Sequence, residues 1–156
     1  IRHHGDLHLG QMLIVKDDIF IIDFEGEPRR PLHERRRKAP AARDVAGLVR
    51  SIDYSTTAAL ERAVKIAPDD HGRLATALQV WRERATATFL AAYYEHMDDA
   101  RLWPRDDDSA ERLLDLFLLE KAFYEIEYEI AYRPDWLGVP LAGALRILSR
   151  TGEDPA

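Results

Sequence analysis

Residues 3–11 read HHGDLHLGQ, and residues 22–28 read IDFEGEP. Asp6, Gln11 and Asp23 are the side chains in these stretches whose types and spacing suit phosphoryl transfer. Such a reaction needs a carboxylate that takes or orients the proton of the acceptor hydroxyl. It also needs hard oxygen ligands that hold Mg²⁺ against the phosphates, both fixed relative to each other. Mg²⁺ favours oxygen donors in an octahedron that keeps several waters, and a carboxylate with a side-chain amide oxygen serves that preference. Asp6 is therefore expected as the base or orienting carboxylate, with Gln11 and Asp23 as the metal ligands. His4 is expected to hold the loop through hydrogen bonds rather than to enter the chemistry.

Other elements must position these groups. The runs QMLIV and IFIID are short, apolar and β-branched, and KDD between them is a turn signal, so residues 11–23 predict a β-hairpin. Its geometry lets Gln11, at the start of one strand, meet Asp23 at the end of the other. Residues 24–42 hold Gly26, Pro28, Pro31 and Pro40 among many charges and predict a loop. Beyond it the helical period dominates. Val45, Leu48, Val49, Ile52, Leu60 and Val64 mark a helix over about 43–66. Leu74, Leu78, Trp81, Ala85 and Phe89 mark a second over about 70–98 and are expected to be core. A third, over about 108–132, starts with a capping-box-like pair, Asp108 and Glu111, and stops before Pro134. Pro140 suits the first turn of a last helix over about 140–149. Ile1 enters the motif with no capped element before it, so a truncated chain is expected. The chain thus divides into a catalytic loop (3–11), a metal hairpin (11–25), a basic loop (26–42) and four helices.

Asp44, near the start of the first long helix, either braces the catalytic loop through backbone amides or is a simple helix N-terminal carboxylate. Glu25 and Glu27 flank the metal motif as sugar or second-metal contacts, or as solvated acids. On the third helix Lys121, Tyr124, Glu125 and Tyr128 share a face. Leu119, Ala122, Phe123, Ile126 and Ile130 take the opposite face, the expected core side. His4 and His8 have zinc-like spacing, but Gly5 and Gly10 argue for a loop rather than the helix such a site needs.

The spacing of His4, Asp6, Gln11 and Asp23 resembles the H-x-D-x-x-x-x-N loop and Asp-Phe-x metal motif of kinases, with Gln in place of Asn and Glu25 where protein kinases have Gly. HGDLHLGQ, IDFEGEP, RDVAGLVRSIDY and EKAFYEIEYEIAYRPDWLGVPL, in that order, resemble the C-terminal lobe of the bacterial maltokinases. That family has the aminoglycoside-phosphotransferase and protein-kinase-like fold and is also found fused to trehalose synthase. The resemblance implies a kinase-like α+β C-terminal lobe, mostly helical with a short hairpin at the front, whose N-terminal lobe is absent from this chain. It implies transfer of the ATP γ-phosphate to the anomeric hydroxyl of maltose, with Mg²⁺, in cytoplasmic trehalose- and glycogen-linked metabolism. It also implies that the fragment alone turns over little. Lys121, Tyr124, Tyr128 and Glu25 become expected sugar contacts. Two other readings are a glucosamine or aminoglycoside kinase of the same fold, and a non-catalytic docking fragment for trehalose synthase.

Composition narrows the classes further. The 156 residues are 46% hydrophobic, enough for one domain with a core. There are no cysteines, which excludes disulfides and thiolate metal sites. No apolar run approaches the ~18 residues of a membrane span. The net charge of −6 argues against nucleic-acid binding. The local exception, RRPLHERRRK at 29–38, lies where a kinase has its activation segment, and its default reading is a solvated charge run.

Overall fold

In the computed structural model the described residues are 1–97 and 101–151. The hairpin consists of β1 (Met12–Val15) and β2 (Asp18–Ile21), antiparallel, with Met12 opposite Ile21 and Val15 opposite Asp18. Lys16 turns the chain with φ 57. Gln11 does not begin β1. It closes a 3-10 turn, Leu9–Gln11, whose start is capped by the His8 ring accepting the Gly10 N–H. The ladder still reaches Gln11, because the Ile22 N–H donates to its carbonyl at 3.0 Å. Apolar side chains of the hairpin are exposed on both faces: Leu13, Ile14, Ile19 and Phe20 all lie open.

The segment expected as a plain loop contains one helical turn, α1 (Leu32–Arg35). Then come α2 (Ala42–Ile66), α3 (His71–His96), α4 (Asp107–Tyr132) and α5 (Gly138–Thr151). The expected second-helix end at residue 98 lies outside the described residues. α4 begins one residue before the expected Asp108. Its N-cap is Asp106, whose carboxylate accepts the Ser109 N–H at 2.8 Å, so the cap is Asp106 rather than a box of Asp108 with Glu111.

The first half of α2 is the centre of the fold and packs against α3, α4 and α5. Val45, Ala46, Leu48 and Ile52 are buried there, as their spacing predicts. The core continues through Trp103, Leu114, Leu118 and Ile147, with Phe89, Leu90 and Tyr93 packed against it. Gly47 lets the catalytic loop lie directly on α2. A Cβ at this position would stand 2.6 Å from the Leu7 carbonyl oxygen, a backbone atom that cannot yield without moving the loop.

Two expected core faces differ from the structure. No residue of α3 is fully buried, and Trp81 is half exposed. The rest of its stripe, Leu74, Leu78, Ala85 and Phe89, is partly buried, and Phe89 packs against the core. On α4 the expected core side is inverted in part: Ala122 is buried, but Phe123 and Ile130 are exposed, while Glu125 and Glu129 are buried. Their charges are met by other elements. Arg50 of α2 donates twice to Glu125 Oε2, at 2.7 and 2.8 Å. Glu129 accepts from Tyr54 at 2.9 Å and from both ends of the Arg133 fork at 2.7 and 3.0 Å. Buried ions persist only when paired in this way.

Candidate active site

The catalytic loop is held from below and from the side. Asp44 accepts the His4 N–H at 2.6 Å and the Gly5 N–H at 2.9 Å, one on each carboxylate oxygen. Between its two open readings, this is the brace: the carboxylate turns away from the end of its own helix toward the loop. His4 is buried and joins the two halves of the motif. Its Nδ1 accepts the Asp6 N–H at 3.3 Å, and its Nε2 lies 2.8 Å from the Ile22 carbonyl. An acceptor at Nδ1 and a donor at Nε2 correspond to the Nε2–H tautomer. The ring also packs on Phe24 at 4.9 Å. Asp6 and the end of β2 are thus tied through one imidazole.

Replacing Asp44 by alanine leaves two loop amides without their charged acceptor. Hydrogen bonds to charged groups are worth about 1.5–3 kcal/mol each. Denaturant unfolding of the Asp44→Ala variant should show a loss of at least one such bond. Asp44→Asn keeps one acceptor oxygen and should lose less. Equal stability of the alanine variant and the parent would mean that the brace contributes nothing.

Gln11 and Asp23 meet as the hairpin geometry predicts, with Gln11 Nε2 3.0 Å from Asp23 Oδ2. Asp23 is exposed and sits at φ 64, in the left-handed region that aspartate tolerates better than most residues. One carboxylate and one amide whose oxygen is a rotation away form a hard-oxygen donor pair, which fits Mg²⁺ with waters and phosphate oxygens completing its shell. Among the described residues no group of three or more His, Asp or Glu forms a metal cluster. His8 is engaged with the Gly10 amide and His4 with Asp6 and Ile22.

Asp6 lies in a small cleft between the loop and α4. Lys121 Nζ stands 3.6 Å from Asp6 Oδ1 and 4.0 Å from Glu27 Oε2. Tyr124 lines the same cleft. Its hydroxyl is shut from solvent without a well-formed hydrogen bond. Burial, and then the adjacent Glu27 carboxylate, raises its pKa. Tyr128 stands apart from Asp6, against Tyr132 at 5.0 Å. Arg29 of the basic segment lies over Tyr128 at 5.4 Å and Tyr132 at 5.0 Å, and Arg133 also lies over Tyr128, at 5.2 Å. Glu25 is exposed and reaches none of these groups through its carboxylate; its backbone carbonyl lies 3.4 Å from Arg35 Nη1. Glu125, grouped with the sugar face by its spacing, is buried against Arg50 instead. Glu27 as the second partner of Lys121, and Arg29 as the cover of the tyrosines, carry no spacing signal, because both contacts cross from the loop to α4.

The comparisons with known proteins bear on this site. The chain is 31% identical over 137 residues to a glucosamine kinase of Streptacidiphilus jiangxiensis, which covers 88% of this chain and 29% of that protein. It is 31% identical over 145 residues to a glucosamine kinase of Mycolicibacterium smegmatis, covering 93% of this chain and 34% of the relative. These homologues are sugar kinases. A solved glucosamine kinase, in its crystal form B, superimposes with a TM-score of 0.70 at 32% identity, over 97% of this chain and 33% of that one. Another, in complex with glucosamine, ADP and inorganic phosphate, gives 0.64 at 27% identity, over 97% and 36%. No protein-family model matches. The helical architecture, with one two-stranded hairpin among the described residues, is thus that of a segment of a kinase-like fold. The chain spans about a third of the length of these sugar-kinase relatives. The likeness holds at the level of sugar kinases and does not single out maltokinase. Among the described residues no helix is long and apolar enough to cross a membrane.

Proposed function

We propose that this chain is the C-terminal catalytic lobe of an ATP-dependent sugar kinase that phosphorylates the anomeric hydroxyl of maltose. The observation that carries the reading is Asp6, held by His4 and Asp44 and facing Lys121 and Glu27 in a cleft beside the Gln11–Asp23 pair. In this reading the acceptor hydroxyl docks against Asp6, which takes its proton as the oxygen bonds to the γ-phosphorus and the bond to the departing ADP oxygen breaks. Lys121 fixes the Asp6 carboxylate and stands ready to donate to a neighbouring sugar hydroxyl. Gln11 and Asp23 would hold Mg²⁺, which when bound neutralises charge on the phosphates. The exposed apolar hairpin is the surface that an N-terminal lobe and the nucleotide would cover.

The names of the relatives favour a second acceptor, glucosamine. The acid groups of the cleft favour a neutral sugar. Asp6 and Glu27 both face Lys121, Glu120 pairs with Arg43 at 2.6 Å and Arg30 at 3.5 Å, and Asp44 is spent on backbone amides. Asp6 and Glu27 share Lys121, so an ammonium group on the acceptor would have to compete with that cation for them. A maltose molecule needs only hydroxyl partners, which Lys121 and Glu27 supply.

The test is ADP release by the full-length protein across a panel of sugars. The expected result is a higher kcat/KM for maltose than for glucosamine. The reverse order would assign the protein to glucosamine. Lys121→Met is expected to raise the KM for the preferred neutral sugar by about tenfold, the scale of one lost charged hydrogen bond. An unchanged KM and kcat would remove Lys121 from the acceptor site.

A further inference from the structure

A second cavity, of about 290 Å³, lies behind the catalytic loop, between residues 3–5 and the basic segment. Its wall carries five cationic side chains, Arg30, Arg35, Arg37, Lys38 and Arg43, against two acids, Glu27 and Glu34. Of the two acids, Glu27 faces Lys121 at 4.0 Å and Glu34 lies 3.9 Å from the exposed ring of its neighbour His33, so the cations of the wall outnumber its carboxylates. Arg30 and Arg43 share Glu120. Arg35, Arg37 and Lys38 form no ion pair with any described residue, and the only side-chain bond of Arg35 is the long one to the Glu25 carbonyl. Two nitrogens of the lining residues, His3 Nδ1 and Arg35 Nε, are shut from water without a hydrogen-bond partner. Three cations with no ion pair to a described residue thus line one concave space, with His3 beside them.

We propose that this cavity binds a phosphate-type oxyanion, either free phosphate or the phosphate of a small ester, held by Arg35, Arg37 and Lys38 with His3 at its back. A dianion with three or more acceptor oxygens matches several forked donors better than a monovalent carboxylate does. Burial, seconded by Arg43 and Arg30 and opposed by Asp44, holds the His3 imidazolium below its usual pKa, and an anion alongside would offset that. The cavity shares Gly5, Glu27, Arg30, Arg43 and Phe117 with the acceptor cleft but holds neither Asp6 nor Lys121. An anion there would join the basic segment to the loop that carries Asp6. The site does not depend on which sugar is phosphorylated.

The test is calorimetric titration of the full-length protein with inorganic phosphate, in EDTA and without nucleotide, against chloride at matched ionic strength. EDTA removes the metal that would hold phosphate at Asp23. The expected result is one saturable site, weakened about tenfold or more in the Arg37→Ala/Lys38→Ala double variant, the scale of a lost charged contact. Both residues are exposed, so the variant keeps its fold. The NMR signals of the His3 ring should move with the same saturation. Glucose 1-phosphate, titrated in parallel, separates the sources: equal affinity identifies the free ion, and tighter binding identifies an ester. No saturable binding, wild-type affinity in the double variant, or a still His3 ring under bound phosphate would each overturn the proposal.

Discussion

Asp6→Ala in the full-length protein should lower kcat for sugar phosphorylation by about 10²–10⁴, the usual worth of a positioned base. The size follows from how narrowly Asp6 is fixed. Its amide is bonded to His4, the His4 and Gly5 amides are bonded to Asp44, and its carboxylate faces Lys121 at 3.6 Å. No other carboxylate around the cleft is free to replace it, since Glu27 shares the same lysine and Glu120 is held by two arginines. The variant should keep its stability, because the alanine loses one long ion pair and no backbone bond. A kcat within about threefold of the parent would withdraw the role from Asp6. A matching loss of stability would instead make the effect one of folding.

The largest expected effect on stability belongs to Arg50, far from the chemistry. Its side chain is only 2% exposed and pairs with Glu125 and, at 2.5 Å, with Asp53. α5 reaches this guanidinium because position 143 is glycine, where any Cβ would collide with it. Arg50→Met leaves Glu125 and Asp53 beside each other without their shared partner, and breaking one side of a buried pair costs about 3–5 kcal/mol. Arg82 and Arg146 also reach Asp53, at 3.3 and 2.6 Å, so most of the loss should trace to Glu125. The double variant Arg50→Met/Glu125→Leu should recover a large part of it. A deficit under about 1 kcal/mol by urea unfolding would mean that Glu125 finds another partner or takes up a proton.

The pH dependence gives a second readout of the same pair. Burial raises the Glu125 pKa above its unfolded value, with Arg50 opposing. Between the two values the folded protein binds a proton that the unfolded chain has released, so the stability contributed by Glu125 falls as pH rises through that window. Without Arg50 the window widens upward. The deficit of Arg50→Met measured near neutral pH should therefore shrink at about pH 5. A deficit that stays constant over this range would show that Glu125 is not the group left stranded.

Much of this molecule is local in origin, and that part was readable. The turn at Lys16, the apolar runs on each side of it, and the breaks at Pro68, Pro134 and Pro140 act over a few residues. They gave the hairpin and the four long helices to within a few residues at each end. The pairing of Gln11 with Asp23 was readable for the same reason, since a short hairpin leaves its two ends nowhere else to go. The reading failed where a residue's surroundings come from another helix. Phe123 and Ile130 have the periodicity of a core face and lie exposed, while Glu125 and Glu129 have that of a solvent face and lie buried. Period alone marks two sides of a helix without saying which side meets α2.

The sequence by itself determined which side chains of the proposed phosphoryl-transfer set are present and how far apart they stand along the chain. Tertiary structure decided which of them share a site. Lys121 comes to Asp6 and Glu27, and Asp44 comes to the loop amides, because α2 carries the loop on Gly47 while α4 crosses beside it. The physical reason is range. Backbone propensity and side-chain period are set by neighbours within a turn or two, whereas the partner of a charge is set by whichever distant segment packing brings within a few ångströms.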